Sequence, residues 1–145
     1  MLVQQILKSK AKPGVLTITS AATVAEAARI LAANRIGSLV VSDDDGKTAI
    51  GILSERDIVR ELAQVGVVCM EKPVSEYMTR KLVTCTGDTT VQELLTQMTE
   101  GRFRHMPVVE EGQLVGLVTQ GDAVKAQLSE LTMEKRALEG MIMGH

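Results

Sequence analysis

The sequence predicts an α/β protein made of two similar halves packed about a pseudo-two-fold axis. Three observations carry that expectation. Gly51-Ile52-Leu53-Ser54-Glu55-Arg56-Asp57 returns as Gly116-Leu117-Val118-Thr119-Gln120-Gly121-Asp122, each copy running from a glycine through apolar residues to a hydroxyl three places before a carboxylate. Upstream, Thr23-Val24-Ala25-Glu26 with Ala27, Ala28 and Leu31 matches Thr90-Val91-Gln92-Glu93 with Leu94, Leu95 and Met98. The unit is longer than common solenoid repeats and occurs only twice, which favours a shared core over a stack. At 145 residues the chain suits one ordinary domain or two small interlocked ones, and either half alone would be marginal.

The first half, residues 1–66, opens with Val3, Ile6 and Leu7 at helical spacing, a run that Pro13-Gly14 interrupts. Val15-Leu16-Thr17-Ile18 reads as a short extended segment. Thr23 caps the next helix, with Glu26 placed to return a hydrogen bond to the cap amide. Val24, Ala27, Ala28 and Leu31 then give that helix one apolar face. Leu39-Val40-Val41 is a β-run, Asp43-Asp44-Asp45-Gly46 a turn, and Thr48 to Leu53 the returning strand. Helical spacing resumes from Asp57 through Ile58, Val59, Leu62 and Ala63, and Gly66 ends it.

Residues 67–73 form a connector too short and apolar for a flexible tether. The second half, residues 74–145, repeats the order: a lead-in with Val74 and Met78, a strand from Leu82 to Cys85, and a capped helix from Thr90. A hairpin follows through Met106 to Val109 and Leu114 to Val118, then a last helix starting near Asp122. That helix carries Val124, Leu128, Leu131, Leu138 and Ile142 and continues well past the point where its counterpart stops. Such an apolar stripe wants a partner, either the protein body or another subunit.

Composition narrows the function. The chain is 45% hydrophobic with Tyr77 and Phe103 as its aromatics, which excludes general disorder. No apolar run reaches membrane-spanning length and the N-terminus lacks a signal-peptide pattern, so a cytoplasmic protein without membrane association is expected. A net charge of -2 gives no electrostatic case for nucleic acid, while leaving room for a local positive pocket. Cys69 and Cys85 have no His/Cys neighbours at metal-ligand spacing and read as reduced thiols. The Asp43-Asp44-Asp45 turn lacks the full calcium-loop pattern and reads as a solvated hairpin tip, so no metal ligands are assigned. No nucleophile–base–orienter set emerges around His105, and His145 is terminal; no catalytic residue is assigned and an enzyme is not expected.

The doubled order of elements, with Ser54-Glu55-Arg56-Asp57, Thr119-Gln120-Gly121-Asp122, Val74-Ser75-Glu76-Tyr77-Met78-Thr79 and Arg102-Phe103-Arg104-His105-Met106-Pro107-Val108-Val109, closely resembles a tandem pair of CBS domains, the cystathionine-β-synthase type of regulatory module. The resemblance covers essentially the whole chain. It implies an α/β fold of two pseudo-symmetric β-α-β-β-α units packed through their sheets. It also implies two related clefts for adenosine-containing ligands, with AMP first and ADP, ATP, NAD or S-adenosylmethionine as the other choices. No cofactor is required on this reading. Similarity to stand-alone members, which are often dimers without a settled partner, implies a homodimer, and the apolar last helix offers a surface to a second subunit or a client protein.

Site residues follow from the motifs and from that resemblance together. Asp57 and Asp122 stand at helix starts, where a carboxylate either caps its own helix or accepts both ribose hydroxyls. Ser54 and Thr119 are either turn residues or hydroxyls that, with nearby amides, hold phosphate. The resemblance places Thr17 and Thr84 beside base or sugar, with backbone near Ile18 and Cys85 reading the adenine edge; the bland alternative is strand surface. Arg104 and His105, beside Met106-Pro107, offer paired donors and one further donor to phosphate. Phe103 covers the base or packs in the core. Arg56 faces no basic counterpart at Gly121, so the two clefts should differ in affinity. The competing function is a ligand-independent dimerisation or protein-interaction module built on the long last helix.

Overall fold

A computed structural model describes residues 1–10 and 14–142, and these follow the expected repeated order. Pro13 and His145 lie outside the described residues. Helix α1 (Val3–Ser9) precedes strand β1 (Thr17–Ile18), helix α2 (Val24–Asn34), strands β2 (Ser38–Val41) and β3 (Gly51–Ser54), and helix α3 (Glu55–Val65). Two 3-10 turns, Gly66–Glu71 and Val74–Glu76, lead into helix α4 (Val91–Gly101), strands β4 (His105–Glu110) and β5 (Gln113–Thr119), and helix α5 (Gln120–Ile142). No helix among the described residues is long and apolar enough to cross a membrane.

In the first unit β1 runs parallel to β2, and β2 pairs antiparallel with β3, Ser38 opposite Ser54. The second unit repeats this with β4 and β5, His105 opposite Thr119, but its opening strand is a single bridge. Cys85 donates to the Pro107 carbonyl at 3.0 Å and accepts from the Val109 amide at 2.8 Å. The strand expected over Leu82 to Cys85 is therefore reduced to its last residue. Its approach is already committed elsewhere: Thr79 exchanges both backbone bonds with Ile52 of β3, at 3.0 and 2.8 Å, so the following residues must cross from one sheet to the other.

Two further local readings change. β3 starts at Gly51, later than Thr48, because the Asp44 carboxylate accepts from both the amide and hydroxyl of Thr48 and holds it in the turn. The Thr23 hydroxyl caps α2 by accepting from the Glu26 amide at 3.2 Å. The returning carboxylate bond, expected from Glu26, is made instead in α4, where Glu93 accepts from Thr90 at 3.4 Å.

The two apolar cores do not respect the linear halves. Val3 and Ile6 of α1 pack with Val91, Leu94, Met98, Met106, Val108 and Val118. Reciprocally, Val74 and Met78 pack with Val24, Leu31, Leu39, Leu53 and Ile58. Backbone bonds fix both crossings in the same pattern. Val3 donates to Thr89 and Val91 donates to Met1, just as Val74 donates to Ala22 and Val24 to Lys72. Each lead-in thus belongs to the opposite repeat, and neither core is complete without a segment from the other side.

That crossing explains the glycine opening each repeated motif. A Cβ at Gly51 would stand 2.6 Å from Met78 Sδ and 3.1 Å from the Thr79 carbonyl oxygen, while one at Gly116 would stand 2.6 Å from a Leu7 methyl. Gly51→Ala meets backbone as well as side chain, whereas Gly116→Ala meets a side chain that can rotate. Urea unfolding should show both variants destabilised by about 1–3 kcal/mol, with Gly51→Ala the worse; equal or no loss would mean the lead-ins do not press on these strands.

Candidate functional site

The two β-to-α junctions are the same device built twice. Ser54 Oγ accepts from the Asp57 amide at 3.2 Å while an Asp57 carboxylate oxygen accepts from the Ser54 amide at 2.9 Å. Thr119 and Asp122 make the equivalent pair, both at 3.0 Å. These are capping boxes, each closing two otherwise unsatisfied donors. The first helical amide is also spent, Glu55 donating to the Gly37 carbonyl at 2.9 Å and Gln120 to the Arg104 carbonyl at 2.8 Å. The second helical amides, at Arg56 and Gly121, belong to the first turn, where a helix supplies no internal acceptor, and they take no part in the capping boxes. Each helix start therefore has one further amide outside its capping box at the positive end of the helix.

Both junctions open onto one cleft of about 500 Å³, within the range of roughly 300–1,000 Å³ typical of small-molecule sites. Of the residues singled out in the sequence, Ser54, Arg56, Asp57, Phe103, Arg104, His105, Pro107 and Thr119 line it. Phe103 lines the cleft and packs against the second core. Thr17 and Ile18 sit instead on β1, with Ile18 buried in the first core; Thr84 is exposed, away from the cleft wall. Cys85 and Met106 are buried in the second core, and the Cys85 amide is already spent on Pro107. Burial and the nearby Glu110 carboxylate push the Cys85 thiol up to about 11.

Asp122 departs from its twin. Its Oδ2 takes both the Thr119 amide and Lys10 Nζ at 3.0 Å, and Lys10 also donates to the Leu117 carbonyl at 2.9 Å. Burial works to raise this carboxyl, but the Thr119 amide and the Lys10 ammonium outweigh it and leave Asp122 below the usual carboxylate range. Asp57, by contrast, lines the cleft and its other oxygen takes Arg60 Nη1 at 3.2 Å. One helix-start carboxylate is thus held by Lys10, while the other, buried and paired with Arg60, borders the cleft.

The His105 ring packs over Gly37 of the opposite repeat, where a Cβ would come within 3.3 Å of the imidazole. Burial holds its imidazole below the ordinary value. Arg104 and Arg56 act in the same direction, while the Glu55 and Asp122 carboxylates oppose them. Ser38, the position equivalent to His105, also borders the cleft; it is 2% exposed and its hydroxyl has no partner among the described residues.

Sequence reasoning missed Glu55, Arg60, Lys81 and Arg102 on this wall. Arg60 was one helical turn beyond Arg56, and Arg102 ends α4 just ahead of Arg104. Lys81 was readable only through a second alignment, in which Val3, Leu7 and Lys10 match Val74, Met78 and Lys81. That register differs from the one relating the helices. The Asp43 and Asp44 carboxylates, read as a solvated tip, are engaged by Ser20 and by Ser42 and Thr48, and these bonds lower Asp44 to about 2.

Comparison with known proteins places these features in a recognised group. The CBS domain model matches residues 4–64 and 74–129. The mitochondrial CBS domain-containing protein CBSX3 of Arabidopsis thaliana is 32% identical, over 98% of this chain and 72% of its own length. The chain spans only 22% of the length of another relative, CBS domain-containing protein CBSCBSPB5 of the same plant, at 35% identity over 86% of this chain. Among solved structures, the CBS-domain protein ATU1752 of Agrobacterium tumefaciens superimposes with a TM-score of 0.83 at 40% identity, covering 88% of this chain and 99% of that one. The CBS domain pair of MJ0100, in complex with 5'-methylthioadenosine and S-adenosyl-L-methionine, gives 0.77 at 30% identity, covering 90% and 98%.

His105 should titrate by proton NMR below the ordinary imidazole value of about 6.5. Removing the opposing carboxylate in Glu55→Gln should lower the midpoint further, because a neighbouring anion favours the protonated ring. Since the folded state prefers neutral His105, the stability linked to it is complete above the ordinary value and is lost as pH falls toward the folded midpoint. A midpoint at or above the ordinary value, or one raised by Glu55→Gln, would contradict this arrangement.

Proposed function

The chain belongs to the CBS domain family and carries two copies as a pair, a regulatory module, and from that premise we propose that it senses an adenine nucleotide, AMP, ADP, ATP or NAD, held in the cleft between its repeats. The observation that carries this reading is the convergence of both capped helix starts on one cleft that also presents Arg56, Arg104 and His105. Phosphate suits the amides and guanidinium groups. Asp57 suits the ribose: its two oxygens offer more lone pairs than the Ser54 amide and Arg60 consume. Phe103, partly buried at the edge of the second core, offers an apolar surface to the base. The adenosine compounds named for MJ0100 support the ligand class.

The role we assign is regulatory and non-catalytic. Asp57 and Asp122 each maintain a helix cap and Asp122 is further held by Lys10, so neither carboxylate stands free to move a proton. A second reading, ligand-independent homodimerisation or client binding, is favoured by α5, on which Leu128, Leu131 and Leu138 are all at least half exposed. The two readings are compatible if the pair signals through that helix.

Isothermal titration against AMP, ADP, ATP, NAD and S-adenosylmethionine should show saturable binding of at least one. Asp57→Asn should weaken the preferred ligand about tenfold or more, in line with the roughly 1–3 kcal/mol lost when buried polar partners are left unsatisfied. Asp122→Asn should weaken it less than about threefold, because that carboxylate is already committed to Lys10. Equal losses would place the ribose elsewhere, and no binding at all would remove the nucleotide reading. Light scattering separates the other function: a dimer that forms without ligand and dissociates in Leu131→Glu supports association through α5, and a monomer at all concentrations rejects it.

A further inference from the structure

Resting on the nucleotide reading above, we propose that the cleft selects its ligand by the phosphate chain, taking nucleoside di- and triphosphates ahead of monophosphates and of sulfonium nucleosides. The whole chain carries a net charge of -2, yet the cleft wall sets five cations, Arg56, Arg60, Lys81, Arg102 and Arg104, against two carboxylates, Glu55 and Asp57. Arg60 is tied to Asp57. The other four come from the start of α3, the segment crossing between sheets, the end of α4 and the approach to β4, so both repeats contribute. Their charges converge on a space that no single helix face would create.

The neutral donors point the same way. The second helical amides of Arg56 and Gly121, which a helix leaves without an internal acceptor, belong to the two helix starts that border the cleft. The buried hydroxyl of Ser38 on the same wall is unpartnered. Guanidinium forks, one ammonium, two amides and a hydroxyl together exceed what a single phosphate can satisfy, and a chain of two or three phosphates supplies the additional acceptors. The ligands named for MJ0100 differ in this respect: 5'-methylthioadenosine has no phosphate, and the sulfonium of S-adenosylmethionine would add a cation to a cationic wall.

The test is calorimetry on the full chain, with EDTA present, against adenosine, AMP, ADP, ATP, S-adenosylmethionine and inorganic tripolyphosphate. Each added phosphate should tighten binding about tenfold, equivalent to about 1.4 kcal/mol. S-adenosylmethionine should bind more weakly than AMP, and tripolyphosphate should compete with ATP. Added salt should weaken ATP more than adenosine. Arg102→Gly removes one cation and relieves a left-handed backbone at φ 57; it should lower ATP affinity about tenfold without lowering the melting temperature. Lys81→Gln, on the segment that crosses between the sheets, should flatten the same ranking. Equal affinity for AMP and ATP, tightest binding of S-adenosylmethionine, or failure of tripolyphosphate to compete would overturn phosphate selection while the nucleotide reading stands. Absence of saturable binding by every adenine compound would overturn both.

Discussion

Two lead-in segments, each packed against the repeat it does not belong to, set the geometry on which everything else rests. α1 contributes Val3 and Ile6 to the second core, and Val74 and Met78 enter the first. Burying side chains of this size is worth roughly 1.5–3 kcal/mol each, and matched backbone bonds to Thr89 and Ala22 fix their register. Because the exchange is reciprocal, the repeats cannot separate without opening both cores. The cleft wall inherits that rigidity: Lys81 and the residues beside it lie on the chain that has just left Ile52 and is on its way to the second sheet.

Within that frame the hydroxyl-x-x-carboxylate motif serves structure and site at once. Its capping box consumes the third helical amide and the cap amide, a neighbouring carbonyl takes the first, and the second lies outside both arrangements. The start of each helix and one wall of the cleft therefore have the same origin. The alternatives weighed for Asp57 and Asp122, cap or ligand contact, do not compete for the same lone pairs, since capping occupies only part of a carboxylate.

Pseudo-symmetry of the backbone is broken by side chains, and the breaks fall around the cleft. Gly37 and Ser38 in one repeat face Arg104 and His105 at the equivalent positions of the other, and the small residue makes room for the imidazole across the boundary. Lys10 reaches Asp122, while its counterpart Lys81 lines the cleft that Asp57 also borders. Two equal frames thus yield one carboxylate neutralised internally and one presented to the cleft.

By itself the sequence determined the order of elements, the repeated halves, the capped helix starts and eight of the residues that line the cleft. All of these are local or recur at a constant spacing: a glycine before a strand, a hydroxyl three places before a carboxylate, an apolar stripe at helical period. Tertiary structure alone decided which repeat each lead-in completes, why Leu82 to Cys85 shrinks to one bridge, and why Cys85 and Met106 face the core. It also decided that Lys10 meets Asp122. That contact joins residues at opposite ends of the chain, and no period or propensity in the sequence encodes a distance between them. Only the folded crossing, which carries α1 over to β5 and α5, brings that ammonium to that carboxylate.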